Sequence, residues 1–204
     1  QISKTNWVRG LKQGSSKFLH ENGNIKYVVN YLNDVENGFI QSFDEIGKVY
    51  YEGNYSHGSE NDTIKYYYPN GKIKKIEFYI DGELNGIYKA WGENGLLKEN
   101  LNFSNNKKNG TCIWYYTNGE KSHEINFKDG MWNGERKEWF ENNQLKSNEN
   151  FIFDVKNGLC EIWHENGKLK TQAEYKNGEI IGLEKNWDSD GNEIKSNEWI
   201  PSNN

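Results

Sequence analysis

The chain has 204 residues and a net charge of −5, with 34% hydrophobic and 15% aromatic residues. This acidic balance disfavours nucleic acid and anionic membranes as partners, and the sequence lacks the run of about 18 apolar residues that would predict a transmembrane helix. The low hydrophobic content and high aromatic share predict a folded core built mainly from Trp, Tyr and Phe.

Glycine recurs in this chain with a period of 24 residues. One progression is broken only by Asn143, a second only by Asp62, and a third alternates glycine with Asp34, Asn106 and Asp154, residue types that tolerate a left-handed backbone. The period continues without a linker from about residue 6 to 199. We therefore expect one domain over residues 1–204, built from about eight repeats.

In chain order, each repeat predicts a strand of about eight residues, a loop with two of the glycine positions, a second strand and an Asn-Gly turn. The sequence contains 11 Asn-Gly dipeptides, including those in the segments 68–72 and 165–168. Between alternating apolar residues, this dipeptide predicts a type I′ hairpin turn. The predicted fold class is all-β, an elongated, solenoid-like antiparallel meander of hairpin repeats with some sixteen strands.

Because 24 is an even number, we expect odd and even residues to lie on opposite faces of the sheet along the whole array. The odd positions would form the core. They hold two aromatic series, Trp7, Tyr31, Tyr55, Tyr79, Phe103, Phe127, Phe151, Tyr175 and Trp199, and Phe43, Tyr67, Trp91, Tyr115, Trp139, Trp163 and Trp187. The even positions would form a solvated face, with Asn6, Asn30, Asn54, Asn102, Asn126 and Asn150.

Two stretches, 79–86 and 127–134, show an aromatic residue followed by two residues, Gly, three residues and Gly. With the neighbouring aromatics and Asn-Gly turns, this pattern resembles the MORN repeat family, and more closely its bacterial variant, over nearly the whole chain. The better-known eukaryotic form has a further glycine where this chain has Ile40, Tyr88, Cys112, Arg136 or Cys160. The resemblance implies elongated antiparallel sheets and a family in which some members are antitoxins of bacterial toxin–antitoxin pairs.

The sequence offers few groups for catalysis. His20 and His164 recur within the same tetrapeptide, His-Glu-Asn-Gly, so they read as part of the repeat. Cys112 and Cys160 would lie roughly 19 Å apart in a meander, which predicts free thiols. Cys160 and His164 would be about 13 Å apart, too far for a nucleophile and its base. With no metal-ligand spacing or phosphate-binding loop, we expect no enzyme activity, metal or cofactor.

The function expected from the sequence is a non-enzymatic protein-binding module, with an antitoxin-like protein as its specific form. Two alternatives stay open, a secreted binder of cell-wall polymer or carbohydrate and a purely structural scaffold. Membrane lipid is disfavoured by the net charge. The compartment stays open between the bacterial cytoplasm and, if a signal peptide precedes Gln1, the cell envelope.

The predicted partner-binding residues are tryptophans, since Trp is a frequent anchor at protein interfaces. They are Trp91, Trp114, Trp132, Trp139, Trp163 and Trp187. Trp114 and Trp132 are the most informative of these, because their even parity predicts that they lie off the core. On that basis, replacement of Trp114 by Ala should leave stability nearly unchanged.

Overall fold

The computed structural model describes residues 2–194, which contain strands and turns and no helix, hence no helix able to cross a membrane. Trp199 lies outside the described residues. The chain divides into two compact units, residues 1–107 and 108–204. In each, consecutive strands pair antiparallel, so the predicted all-β meander of hairpin repeats is confirmed. The single domain expected over residues 1–204 stays a prediction.

The strands of the first unit are β1 (Ile2–Lys4), β2 (Trp7–Val8), β3 (Leu11–Leu19), β4 (Ile25–Leu32), β5 (Val35–Glu36), β6 (Gly38–Phe43), β7 (Val49–Ser56), β8 (Ser59–Glu60), β9 (Asp62–Tyr67), β10 (Ile73–Ile80), β11 (Glu83–Trp91) and β12 (Leu97–Ser104). The two residues of β13 (Lys107–Lys108) fall on the division between the units. The second unit contains β14 (Gly110–Tyr115), β15 (Lys121–Lys128), β16 (Met131–Trp139), β17 (Leu145–Ile152), β18 (Val155–Lys156), β19 (Gly158–Trp163), β20 (Leu169–Lys176), β21 (Glu179–Trp187) and β22 (Glu193–Ile194).

Each eight-residue strand ends in a two-residue turn. In the turn after β10, Asp81 and Gly82 have φ values of 50° and 80°, so both are left-handed, as a type I′ turn requires. Asn33 and Asp34 adopt the same conformation after β4, with φ values of 52° and 69°. The inference that Asp and Asn replace glycine where the backbone is left-handed is therefore confirmed at this position.

The Asn-Gly dipeptides between repeats form a different turn from the one predicted. Gly23 N donates a hydrogen bond to His20 O at 3.0 Å, and of Asn22 and Gly23 only the glycine has a positive φ, 87°. This is a type I turn followed by a left-handed glycine. The type I′ prediction is wrong here. Within residues 2–194, Asn177-Gly178 is the Asn-Gly pair in which both residues are left-handed.

The asparagine of these turns is used for its side chain. Asn22 Oδ1 accepts a hydrogen bond from Asn24 N at 3.0 Å, and Asn22 Nδ2 donates to Glu45 O of the next repeat at 2.8 Å. Such a bond stabilises the turn and also ties it to its neighbour. The same donation from one repeat to the next recurs at Asn118, Asn142 and Asn166.

The asparagine side chains on the eight-residue strands bind backbone carbonyls where the hydrogen-bond ladder is locally interrupted. At Gly38, φ is +99° and the backbone bulges away from regular pairing, while Asn30 Nδ2 donates to Phe39 O at 2.6 Å. Asn150 bonds Leu159 O in the same way at 2.9 Å. The face that carries these side chains is solvated, as predicted, but these asparagines also have a structural role.

Residue parity does not separate the two faces along the array. Across the two-residue turn, Tyr79 pairs with Leu84, and on the other side of the same strand Glu77 pairs with Ile64. Directly paired residues project to the same face, so an odd residue on one strand shares its face with an even residue on the next. Two hairpins restore the parity, which is why residues 24 apart do share a face.

We term one side of the sheet in each unit its inner face. It carries Tyr51, Gly53, Tyr55, Ile64, Tyr66, Glu77, Tyr79 and Tyr88 in the first unit, and Cys112, Trp114, Ile125, Phe127, Arg136, Glu149, Phe151 and Cys160 in the second. The opposite side is the outer face. The predicted odd-numbered core is correct for the eight-residue strands and wrong for the strands between them, whose even residues face inward.

The most buried side chains lie on the inner face. Ile64 and Cys112 are 0% exposed and Val29 is 1% exposed. Of the first predicted aromatic series, Phe127 and Phe151 are buried, whereas Trp7 is 57% exposed and the other described members are half-buried. Tyr67 of the second series faces outward, where its hydroxyl donates to Glu52 at 2.6 Å. The core is thus formed by short aliphatic side chains and thiols as well as aromatics.

Gly53→Ala is expected to lower the free energy of unfolding by about 1–3 kcal/mol through overpacking. A Cβ at this position would clash with Ile64 Cδ1, and Ile64 is 0% exposed. Ile64→Val removes that Cδ1, so the double variant should lose less stability than the sum of the single losses. Urea unfolding of the four proteins measures this coupling, and strictly additive losses would contradict the contact.

Candidate functional site

The inner face of the first unit holds a group of tyrosines and carboxylates. Their positions follow from the repeat, since Tyr55 and Tyr79 are 24 residues apart and the turn between β7 and β8 places Glu60 directly across from Tyr55. We term this group the tyrosine face. It consists of Tyr51, Tyr55, Tyr66, Tyr79, Glu36, Glu60 and Glu77.

Hydroxyls and carboxylates are linked within the tyrosine face. The hydroxyls of Tyr51 and Tyr55 lie 2.8 Å apart, and Tyr55 OH donates to Glu60 Oε1 at 3.2 Å. The rings of Tyr51 and Tyr66 meet edge to face with their centroids 5.2 Å apart. These contacts fix the ring orientations while each tyrosine stays only half-buried.

One lysine of the chain is bound on this surface. Lys75 Nζ lies 2.8 Å from Glu77 Oε1 and 4.2 Å from the ring centroid of Tyr66, with the ring of Tyr88 at 5.9 Å. Glu77 is 6% exposed. The surface therefore holds an ammonium group between a desolvated carboxylate and aromatic rings, which combines ion pairing with a cation–π contact.

Burial and neighbouring carboxylates keep the tyrosines protonated. Burial, with the charges of Glu77 and Glu60 next, raises the pKa of Tyr66 to about 12. Burial also raises the pKa of Tyr51, and its hydrogen bond with Tyr55 adds to that. Both effects disfavour the tyrosinate anion. The hydroxyls thus remain hydrogen-bond donors over the physiological pH range.

The inner face of the second unit is more apolar. The rings of Trp132 and Phe151 meet edge to face at 5.0 Å, and Arg136 Cζ lies 5.1 Å from the Trp132 ring centroid. Trp114 and Phe127 make a similar edge contact at 6.3 Å. Trp and Arg in such contacts are the residue types that most often anchor protein interfaces.

Charges on this second surface are paired within the chain. Arg136 forms ion pairs with Glu149 and, at 3.4 Å, with Glu138. Lys156 lies 2.6 Å from Glu149, and Lys146 lies 2.6 Å from Glu138. The two carboxylates are each shared between two cations, so every charge of this cluster has an opposite partner within the chain.

The structure places all six predicted binding residues on the side opposite to that expected, two on the inner face and four on the outer face. Trp114 and Trp132 lie on the inner face with Phe127 and Phe151, because the parity of the inward residues switches at each hairpin. The prediction that they lie off the core is wrong. Both are nevertheless half-buried, with part of each ring accessible.

The other four predicted residues end the strands on the outer side. Lys121 Nζ lies 5.6 Å from the ring centroid of Trp139 and 2.7 Å from the outward-facing Glu124, which places Trp139 on the outer face. Register puts Trp91, Trp163 and Trp187 in equivalent pairs. All four are half-buried. The six tryptophans thus do not form one site, although a role of each in binding stays a prediction.

The histidines shared by two repeats have structural partners. His20 Nε2 lies 2.9 Å from Phe43 O, and His164 Nε2 lies 2.9 Å from Trp187 O, so each joins one turn to the next repeat. Cys112 and Cys160 are buried and form no disulfide, and burial raises the pKa of Cys160. Within residues 2–194 no group of His, Cys, Asp and Glu is placed to hold a metal ion.

Sequence reasoning missed Glu36, Glu60 and Tyr66 on the inner face of the first unit. Glu60 and Tyr66 have even numbers and were therefore assigned to the solvated face. One signal could have found them, because seven tyrosines are concentrated between residues 50 and 79. A second signal is the change of charge within one series of the 24-residue repeat, which holds Lys12, Glu36, Glu60, Lys108 and Lys156.

Trp114→Ala is expected to lower the free energy of unfolding by about 2 kcal/mol, because the ring is lost from its packing against Phe127. Leu183→Ala is the control, since Leu183 is 76% exposed and its truncation should change stability by less than about 0.5 kcal/mol. Thermal and urea unfolding give both values. Equal, small losses of stability in the two variants would mean that Trp114 lies on the solvated face.

Tyrosines of the first unit should lose their protons at a higher pH in the folded chain than in the unfolded chain. The pKa of Tyr66 is raised from 10.0 to about 12, so folding favours its protonated form. The stability contributed in this way is complete below pH 10.0 and is lost as the pH rises towards about 12. The ultraviolet absorbance of tyrosinate, followed with and without denaturant, measures this. Superimposable titration curves would contradict the burial of the ring.

Comparison with known proteins supplies the family. A search of curated proteins finds no match. The profile described as MORN repeat variant matches residues 12–33, 63–81, 108–129, 132–152 and 156–177, just over half of the chain. Four of these five segments begin at the second residue after a two-residue turn, namely Lys12, Lys108, Trp132 and Lys156. Each then passes through the Asn-Gly turn or its equivalent and ends at or beside the next two-residue turn. The chain therefore belongs to the MORN repeat variant family.

Proposed function

We propose that this chain is a non-enzymatic protein-binding module, and that it acts as an antitoxin-like protein that neutralises a partner by direct contact. MORN repeats are generally found in the repeat modules of binding proteins. The observation that carries the proposal is the inner face itself. It presents half-buried Tyr, Trp and Arg side chains in fixed orientations, the composition typical of interface anchors.

The backbone that carries these side chains is organised before any partner arrives. Hydrogen bonds join each turn to the next repeat at both ends of the strands, for example from Gly82 N to Glu60 O at 2.8 Å and from Tyr68 OH to Trp91 O at 2.8 Å. A surface with few conformations to lose binds at a smaller entropic cost. A single layer of strands also leaves its aromatic side chains only partly covered, which suits contact with another protein.

The charge of the chain favours a basic partner. Its net charge is −5, and the carboxylates of Glu36, Glu60 and Glu77 lie on the inner face of the first unit. Complementary charge increases the rate of association and excludes acidic competitors. A nucleic-acid-degrading toxin, whose surface must attract phosphate, is a partner of the matching sign.

Affinity capture with two matched variants tests the proposal. Leu84→Lys places a charge on the inner face opposite Tyr79, whereas Ile87→Lys places the same charge on the outer face of the same strand, at a side chain that is 51% exposed. We expect wild type and Ile87→Lys to retain one stoichiometric protein from lysate of the source cells. Leu84→Lys should retain at least about tenfold less, which corresponds to about 1.4 kcal/mol.

Three results would count against this function. They are capture of no stoichiometric protein, equal capture by both variants, and retention on cell-wall material alone. The antitoxin-like form is tested by expressing the captured protein with and without the chain. Growth arrest that the chain relieves, and that Leu84→Lys relieves less well, is the expected result.

A further inference from the structure

One inner-face position holds a lysine in three repeats and a glutamate or an apolar residue in the others. It is the second residue after the two-residue turn and pairs with the aromatic residue one position before the end of the preceding strand. Its occupants, 24 residues apart, are Lys12, Glu36, Glu60, Leu84, Lys108, Trp132, Lys156 and Ile180.

Where this position is a lysine, the ammonium group covers the aromatic ring of the next repeat. Lys12 Nζ lies 4.8 Å from the ring centroid of Tyr31. Lys108 Nζ lies 5.3 Å from that of Phe127, and Lys156 Nζ lies 5.0 Å from that of Tyr175. The repeat thus has a regular arrangement in which a ring is covered by a cation of the same chain.

Glu36 and Glu60 reverse the charge at this position. The rings that follow them are Tyr55 and Tyr79, and within residues 2–194 no lysine or arginine lies over either ring. Over the same range neither Glu36 nor Glu60 forms an ion pair. The charges of both carboxylates reach Tyr55, whose pKa is raised by burial and by Glu60 and Glu36. Among the described residues, this surface therefore combines rings that no cation covers with carboxylates that have no basic partner.

The same face already contains an ammonium group in such surroundings. Lys75 binds between Glu77 and the ring of Tyr66, at 2.8 Å and 4.2 Å respectively. That contact is an example, within this unit, of the ligand that a tyrosine and a carboxylate hold together here. Glu60 and the neighbouring tyrosines offer the same two group types without a cation of their own.

On the basis of the proposed protein-binding function, we propose that the tyrosine face binds a lysine or arginine side chain of the partner. The cation lies against the rings of Tyr55 and Tyr79 and donates hydrogen bonds to Glu36 or Glu60. Charge complementarity selects this occupant, because an acidic or apolar side chain would leave two carboxylates desolvated and unpaired. The partner's basic residue takes the place that Lys12, Lys108 and Lys156 occupy elsewhere in the repeat.

A short oligolysine peptide is the probe, with its fully acetylated form as the uncharged reference. We expect the charged peptide to shift the ring resonances of Tyr55 and Tyr79 in nuclear magnetic resonance titrations, and the acetylated peptide to leave them unchanged. Glu60→Gln should weaken binding about fivefold, as the loss of one charged contact to a cation predicts. Glu83→Gln is the control, since it removes the same charge from an exposed position of the same unit.

Glu60→Lys provides a variant whose fold is expected to persist, because lysine occupies this position in other repeats of the chain. Its own ammonium should cover Tyr79 and abolish peptide binding, with an unchanged melting temperature. Equal losses in Glu60→Gln and Glu83→Gln would mean that the peptide senses only net charge and would overturn the proposal. So would peptide binding that persists in Glu60→Lys.

The outcomes separate this inference from the proposed function. If the chain captures a protein that Leu84→Lys fails to retain, but Glu60→Gln and Glu60→Lys bind that protein as wild type does, the module function stands and cation recognition at the tyrosine face is wrong. If the peptide binds as expected and no protein is captured, the surface recognises cations and the protein-binding function is wrong.

Discussion

The two-residue type I′ turn is the constraint on which the structure depends. It requires two successive left-handed residues, which restricts its positions to Gly, Asn, Asp and a few others such as His57 and Phe153. It also pairs residues of opposite parity, so it decides which side chains of the following strand face inward. The aromatic, aliphatic and charged rows of each unit all follow from that pairing.

Hydrogen bonding between repeats supplements this backbone constraint. Side-chain amides of Asn22 and Asn30 donate to carbonyls that the turn or the bulge leaves outside the regular ladder. The rings of His20 and Tyr68 contact the next repeat in the same way. A sheet with one layer buries few residues completely, so these polar contacts contribute more to its definition than they would in a two-layered core.

Partial burial connects the fold to the candidate site. Aromatic side chains of a single layer are covered by their neighbours in the same sheet and remain accessible from one side. In the second unit, Arg136 and Lys156 neutralise the inward carboxylates. In the first unit, Glu36 and Glu60 have no such cation among the described residues, so the two inner faces differ in charge although their backbones repeat.

Much of the fold was accessible from spacing alone. The period of 24 residues predicted the hairpin repeat, and the alternation of glycine with Asp34 and Asn106 predicted a left-handed backbone there. Phe127 and Phe151 were correctly assigned to the core. Trp114 and Trp132 were assigned to the wrong face, because the parity rule assumed that residues of the same parity face inward on every strand. Turn length and bulges decide which parity faces inward on each strand, and the sequence does not specify either of them uniquely.

The candidate site was less predictable than the fold. Tryptophan positions suggested anchors, but some contacts of the tyrosine face join residues on different strands, such as Tyr55 with Glu60 and Tyr51 with Tyr66. The sequence by itself determined the repeat, the strand lengths and the left-handed positions, because these depend on local backbone preferences. Only the tertiary structure decided which rings, carboxylates and cations share a face, because that depends on the register between strands.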